Sequence, residues 1–115
     1  MMLIEKSLLS GSNGMLILKL LEEGDMYGYQ IIEELSKRSD KTFELKAGTL
    51  YPLLHTLEEK NWVKAYDAEA GGRVRRYYRL TKEGRAALKE KEESWNKYAD
   101  AVRMVLKGGA CFGNA

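Results

Sequence analysis

Residues 47–58 read Ala47-Gly-Thr-Leu-Tyr-Pro-Leu-Leu-His-Thr-Leu-Glu58. Leu50, Leu53, Leu54 and Leu57 recur at i, i+3, i+4 and i+7, which gathers four leucines on one face of a helix. The opposite face then shows Lys46, Thr49, Tyr51, Pro52, His55 and Thr56, groups that hydrogen-bond or stack rather than bury. Pro52 lacks an N–H, so a helix starting between Lys46 and Gly48 gives up one backbone bond close to its beginning, where the loss is tolerated.

Upstream of this stretch, Met15 to Leu21 is almost wholly apolar and reads as a buried helix, with Ser12 or Asn13 to cap it and Gly24 to end it. A shorter helix over Met1 to Leu9 is expected ahead of it. Asp25 is expected to cap the next helix, in which Tyr27, Ile31 and Leu35 form a stripe four residues apart and Glu33, Glu34, Lys37 and Arg38 take the wet side. Downstream, Trp62 to Tyr66 and Arg76 to Leu80 are short and rich in strand formers. Gly71-Gly72 supplies the turn within the connecting run Asp67 to Arg75, so the pair reads as a β-hairpin with a basic return strand. Trp62 falls at the corner into the hairpin and is expected in the core, while one of Tyr77 and Tyr78 faces in and the other out. Thr81 then caps a long helix running to Lys107, with Glu83 near a capping-box position.

That last helix is longer than so small a body requires. Leu88, Trp95 and Val102 repeat every seven residues, and Tyr98 and Val105 take the companion positions, although Lys91 interrupts the seam early. An apolar seam on a projecting helix calls for a second copy, and a symmetric dimer is the commonest solution. The expected organisation is an N-terminal domain over residues 1–80, a dimerisation helix over 81–107 and a flexible tail over 108–115.

The 115 residues carry a net charge of only +2, but the charge is unevenly spread. Residues 1–35 are acidic. Arg73, Arg75, Arg76, Arg79, Lys82 and Arg85 stand against Glu83 alone in the hairpin region, a local net of +5. A basic block on a nearly neutral chain points to an anionic partner at one face, nucleic acid phosphate being the usual one.

Several function classes fall away. A single Cys, at position 111, allows no internal disulfide or cysteine-rich zinc site, and a single His, at position 55, removes most metal sites and catalytic triads. No phosphate-cradling glycine loop, nucleophile elbow or convincing carboxylate pair is present, so neither an enzyme nor a cofactor is expected. No apolar run approaches the roughly 20 residues that span a membrane, and Met1 to Glu5 does not begin a secretory signal. The expected location is the cytoplasm.

Three helices followed by a basic hairpin is the order of a winged helix-turn-helix, so the fold class is mainly α with a small β-hairpin, plus the long C-terminal helix. Residues 47–58 further resemble the recognition-helix signature of the PadR family of bacterial transcriptional regulators. Gly72-Arg-Val-Arg-Arg-Tyr-Tyr-Arg-Leu-Thr-Lys-Glu-Gly84 is similar to that family's wing and the start of its last helix, and Tyr27-Gly-Tyr-Gln-Ile-Ile32 to the first helix of its helix-turn-helix. The three matches stand in the family's order between Met15 and Arg85, and the chain resembles the family's short type, with a single C-terminal dimerisation helix. The resemblance implies a homodimeric repressor of a double-stranded DNA operator. Base and backbone contacts would fall to Lys46, Thr49, Tyr51 and His55 on the helix and to Arg73, Arg75 and Arg76 on the wing. Leu88, Trp95, Tyr98, Val102 and Val105 would make the dimer interface.

Glu93-Ser-Trp-Asn96 is also similar to a segment of a multidrug-sensing regulator of lactic acid bacteria, in which the matching tryptophan stacks on flat aromatic drugs between the subunits. This marks Trp95 and Tyr98 as candidate binders of a small aromatic or hydrophobic effector. Two bland alternatives stand beside these readings: Trp95 as interface packing alone, and the whole chain as a winged-helix interaction module without DNA. Steep salt dependence of DNA affinity separates the DNA reader from the module.

Overall fold

The computed structural model describes residues 11–108. Helix α1 (Asn13–Glu23) leads to a two-residue strand β1 (Met26–Tyr27), helix α2 (Gly28–Arg38), helix α3 (Ala47–Glu59), strands β2 (Val63–Ala70) and β3 (Arg73–Leu80), and the long helix α4 (Lys82–Leu106). The strands form one antiparallel sheet in the order β1-β3-β2. This is a winged helix-turn-helix with a C-terminal helical arm. The expected helix over Met1 to Leu9 and all of the tail from 109 onward, Cys111 included, lie outside the described residues.

The core forms where the apolar faces of the three short helices meet the inner face of the sheet. Ile17, Leu18, Ile31, Leu50 and Leu54 are fully enclosed, with Val63, Tyr78 and Leu80 closing the sheet side. Tyr78 is the inward member of the tyrosine pair, as alternation requires. Trp62 is half-buried and packs against this core. At the rim, Arg38 clasps α2 to α1. Its two terminal nitrogens donate to the Glu23 carboxylate at 2.6 and 2.9 Å, and its Nε donates to Glu34 at 2.8 Å. The geometry is bidentate, but the pair is exposed, so solvent screens much of its attraction.

Three local expectations are corrected. Asp25 does not cap α2. Tyr27 stays extended to pair with Tyr77, so the helix begins only at Gly28, and the Gln30 side chain accepts from the Tyr27 N–H at 3.1 Å. Glu83 makes no capping box. Thr81 alone caps α4, accepting from the Gly84 N–H at 2.9 Å, while Glu83 accepts from Asn61. The hairpin strands are longer than their apolar residues suggest and reach inward to Ala70 and Arg73. Gly71 and Gly72 both take positive φ, 60° and 79°, the backbone of a tight two-residue turn whose twist matches the strands. Such a turn pins the register, and the ladder then carries polar residues that sequence alternation alone would leave in a loop.

The start of α3 is as expected, with Lys46 as its flanking residue and Ala47 first in the helix. Leu50 and Leu54 of this helix are both wholly enclosed in the core. Leu54→Ala is expected to cost about 2–5 kcal/mol of unfolding free energy, read as a fall in the urea midpoint with the denaturant slope unchanged.

Candidate nucleic-acid interface

With Leu50, Leu54 and Leu57 turned inward and Leu53 packed partly against the core, the period of the helix leaves its polar positions to solvent. Lys46, Thr49, Tyr51, Pro52, His55 and Thr56 are all exposed. The His55 imidazole is 73% exposed, with Nε2 3.9 Å from the Glu59 carboxylate. Tyr51 does not stand free. Its ring lies over the first residue of α2, where a Cβ on Gly28 would sit 2.7 Å from the ring carbon Cζ and collide with the hydroxyl. Gly28 therefore leaves the space that lets the two helices of the helix-turn-helix approach, and Tyr51 keeps 46% of its surface for a partner.

The wing arginines divide by strand alternation into two sets. Arg75, Tyr77 and Arg79 point to the outer face of the sheet, where Tyr27, Tyr77 and Tyr66 form a row across all three strands. Tyr27 meets Tyr77 edge-on at 5.4 Å, and Tyr66 stacks on Tyr77 at 5.6 Å. The Arg75 guanidinium lies 4.4 Å from the Tyr27 ring centroid and that of Arg79 lies 5.0 Å from the Tyr66 centroid. Asp25 closes one end of the row, accepting from the Tyr66 hydroxyl at 2.6 Å and from Arg79 Nε at 3.3 Å. On the other face Arg76 reaches α3, with Nη2 3.5 Å from Glu58. The neighbouring Tyr78 hydroxyl, and to a lesser extent the Glu58 charge, hold the Arg76 guanidinium more firmly protonated than usual.

Arg75, Arg76 and Arg79 thus each have an intramolecular contact. Arg73, beside the glycine turn, has no ion-pair or aromatic partner among the described residues. The pairings of Arg79 with Asp25 and of Arg76 with Glu58 were not foreseen in the sequence, because these partners are distant in the chain and become neighbours only when the sheet folds.

The arm carries the second cluster. Leu88, expected in the seam, is 1% exposed and belongs to the chain's own core. The exposed apolar positions begin further along α4, with Trp95 46% and Tyr98 66% exposed, followed by Val102, Met104, Val105 and Leu106. Trp95 also borders two shallow clefts between α1 and α4. One, of about 260 Å³, is lined by Met15, Leu16, Lys19, Glu92 and Asn96 beside Trp95. The other, of about 330 Å³, includes Gly14, Met15, Lys91, Ser94 and Tyr98. Among the described residues no cluster of His, Cys, Asp and Glu could hold a metal ion, and no helix is long and apolar enough to cross a membrane.

Comparison with known proteins agrees with this geometry. The sequence model of the family described as Transcriptional regulator PadR-like matches residues 17–90. A transcriptional regulator of Mycobacterium tuberculosis is 36% identical over 92 residues, covering 80% of each chain. Among solved structures, a transcriptional regulator of Clostridium thermocellum superposes with a TM-score of 0.79 at 34% identity, over 85% of this chain and 96% of that one. A PadR family regulator of Clostridium difficile gives 0.75 at 35% identity, over 84% and 99%.

The tyrosine row has a pH signature. The hydrogen bond to Asp25 raises the Tyr66 pKa above the ordinary 10.0, with burial and the Asp25 charge adding to it and Arg79 opposing. Because the folded-state pKa is the higher one, this bond supports the fold throughout the neutral range and is lost as pH rises through the raised value. In an alkaline absorbance titration, Asp25→Asn is expected to move one tyrosine to lower pH. An unchanged titration curve refutes the coupling.

Proposed function

Because the chain belongs to the PadR-like family of transcriptional regulators, we propose that it is a DNA-binding repressor acting as a homodimer. As a transcriptional regulator it is not an enzyme. The observation that carries the reading is the exposed polar face of α3 beside a basic wing. Lys46 at the start of α3 meets phosphate or guanine, and Thr49, Tyr51 and His55 face base edges in the major groove. Arg73 at the wing tip reaches backbone phosphate, joined by Arg75 and Arg76 where their present contacts yield to it. Two copies joined along the exposed part of α4, through Trp95, Tyr98, Val102 and Val105, place two α3 helices against half-sites about one helical turn apart. Residues up to 80 form the reading head and α4 the dimerisation arm.

The effector part of the proposal rests on Trp95, an exposed indole beside two clefts at the same face as the seam. A flat hydrophobic molecule stacking on Trp95, with Tyr98 as second wall, binds better to one arrangement of the two subunits than to another. It releases DNA if the favoured arrangement misplaces the α3 helices.

Fluorescence anisotropy with a labelled duplex from upstream of the protein's own gene tests DNA reading. The wild type is expected to prefer that duplex to a scrambled one and to weaken steeply with salt. Tyr51→Ala loses the preference, and Arg73→Ala lowers the salt slope by about one. Absence of binding to either duplex refutes the DNA reading and returns the interaction-module alternative. For the effector, planar aromatic dyes are expected to quench tryptophan emission in wild type and not in Trp95→Ala. Equal quenching in both excludes Trp95.

A further inference from the structure

The end of α3 and the start of α4 meet at one small knot of hydrogen bonds. Asn61 takes a left-handed conformation, φ 62°, which a non-glycine residue adopts only where something holds it. Its N–H donates to the Glu58 carbonyl at 2.9 Å and the Trp62 N–H to the Leu57 carbonyl at 3.0 Å, closing α3. The Asn61 carbonyl then accepts from the Thr81 hydroxyl at 2.7 Å, and the same hydroxyl accepts from the Gly84 N–H at 2.9 Å. A single Oγ1 thus bonds the residue that closes α3 to the first turn of α4. Around it, the Thr81 N–H donates to the Trp62 carbonyl at 3.0 Å and Asn61 Nδ2 donates to Glu83 at 3.2 Å. Gly84 lies so close to the Trp62 backbone that a Cβ there would meet its carbonyl carbon at 2.8 Å. One turn on, Leu88 is sunk in the core and the Lys91 ammonium sits 5.2 Å from the Trp62 ring.

We propose that Thr81 and Asn61 are positioning residues that fix the axis of the reading helix α3 to the axis of the arm α4. Neither needs to touch DNA. Resting on the proposed function, the consequence is that the separation of two α3 helices in a dimer is set at this joint, and a shift along α4 reaches α3 undamped.

The test measures the joint within one chain. Spin labels at Glu59→Cys on α3 and Lys97→Cys on α4, in a Cys111→Ser background and diluted in unlabelled protein, report the intrachain distance by pulsed electron resonance. The Thr81 parent and Thr81→Ser, which keeps the hydroxyl, are expected to give one narrow distance. Thr81→Val, which keeps the shape and loses the hydroxyl, is expected to give a displaced or broadened one. In the same Thr81→Val background without labels, affinity for the upstream duplex is expected to fall about tenfold with the salt slope unchanged, since no phosphate contact is removed. A narrow, unmoved distance in Thr81→Val overturns the proposal, as does equal broadening in Thr81→Ser. Expected distances with no DNA binding in wild type leave the joint standing and refute the function instead. Should Thr81→Val fail to fold, Thr81→Ala removes the same hydroxyl with a smaller side chain and is read by the same criteria.

Discussion

The burial of one leucine face of α3 governs what the rest of the molecule can present. Leu50, Leu54 and Leu57 fill the space between α1, α2 and the sheet, each worth on the order of 1.5–3 kcal/mol of transfer free energy. Once they are inside, the helical period leaves Lys46, Thr49, Tyr51, His55 and Thr56 no choice but the surface. The polar face of the candidate interface is the geometric complement of the core. The helix also carries Pro52, whose missing N–H leaves one carbonyl of the first turns without its helical bond. Packing on the leucine side compensates for that loss.

The wing is built on a different balance. A return strand with four arginines would repel itself if each charge were left bare. The sheet instead stacks Arg75 and Arg79 on tyrosine faces and sets Arg76 against Glu58. Such contacts at a wet surface are screened by solvent and weak enough for an incoming phosphate to compete with them. Arg73 at the glycine turn stands outside this arrangement and is the wing arginine most directly available to a polyanion. The basic block is therefore uneven, with Arg73 unengaged among the described residues and Arg75, Arg76 and Arg79 each held by a neighbour.

The arm and the head are one mechanical unit because Leu88 was drawn out of the expected seam and into the core. Its heptad position pointed to a dimer contact, but that position lies within two turns of the start of α4, where the helix still crosses the body over α1. The exposed apolar stretch of α4 therefore begins at Trp95. The knot at Asn61 and Thr81 lies just beyond the ladder pair of Val63 with Leu80, so the sheet register brings the residues after α3 against the start of α4.

Local chemistry was legible in the chain. The leucine spacing of residues 50–57, the Gly71-Gly72 turn, the Thr81 cap and the uninterrupted run to Leu106 determine helices, hairpin and arm, because propensity, capping and periodicity act over a few neighbouring residues. The same patterns made the polar face of α3 readable as a set of candidates. Tertiary structure alone decided that Tyr27 pairs with Tyr77 rather than entering a helix capped by Asp25, that Tyr51 lies over Gly28, that Arg76 meets Glu58, and that Leu88 is core rather than seam. Each of these joins residues far apart in sequence. Such partners are selected by which surfaces close together when the core packs, and no local pattern of residues carries that information.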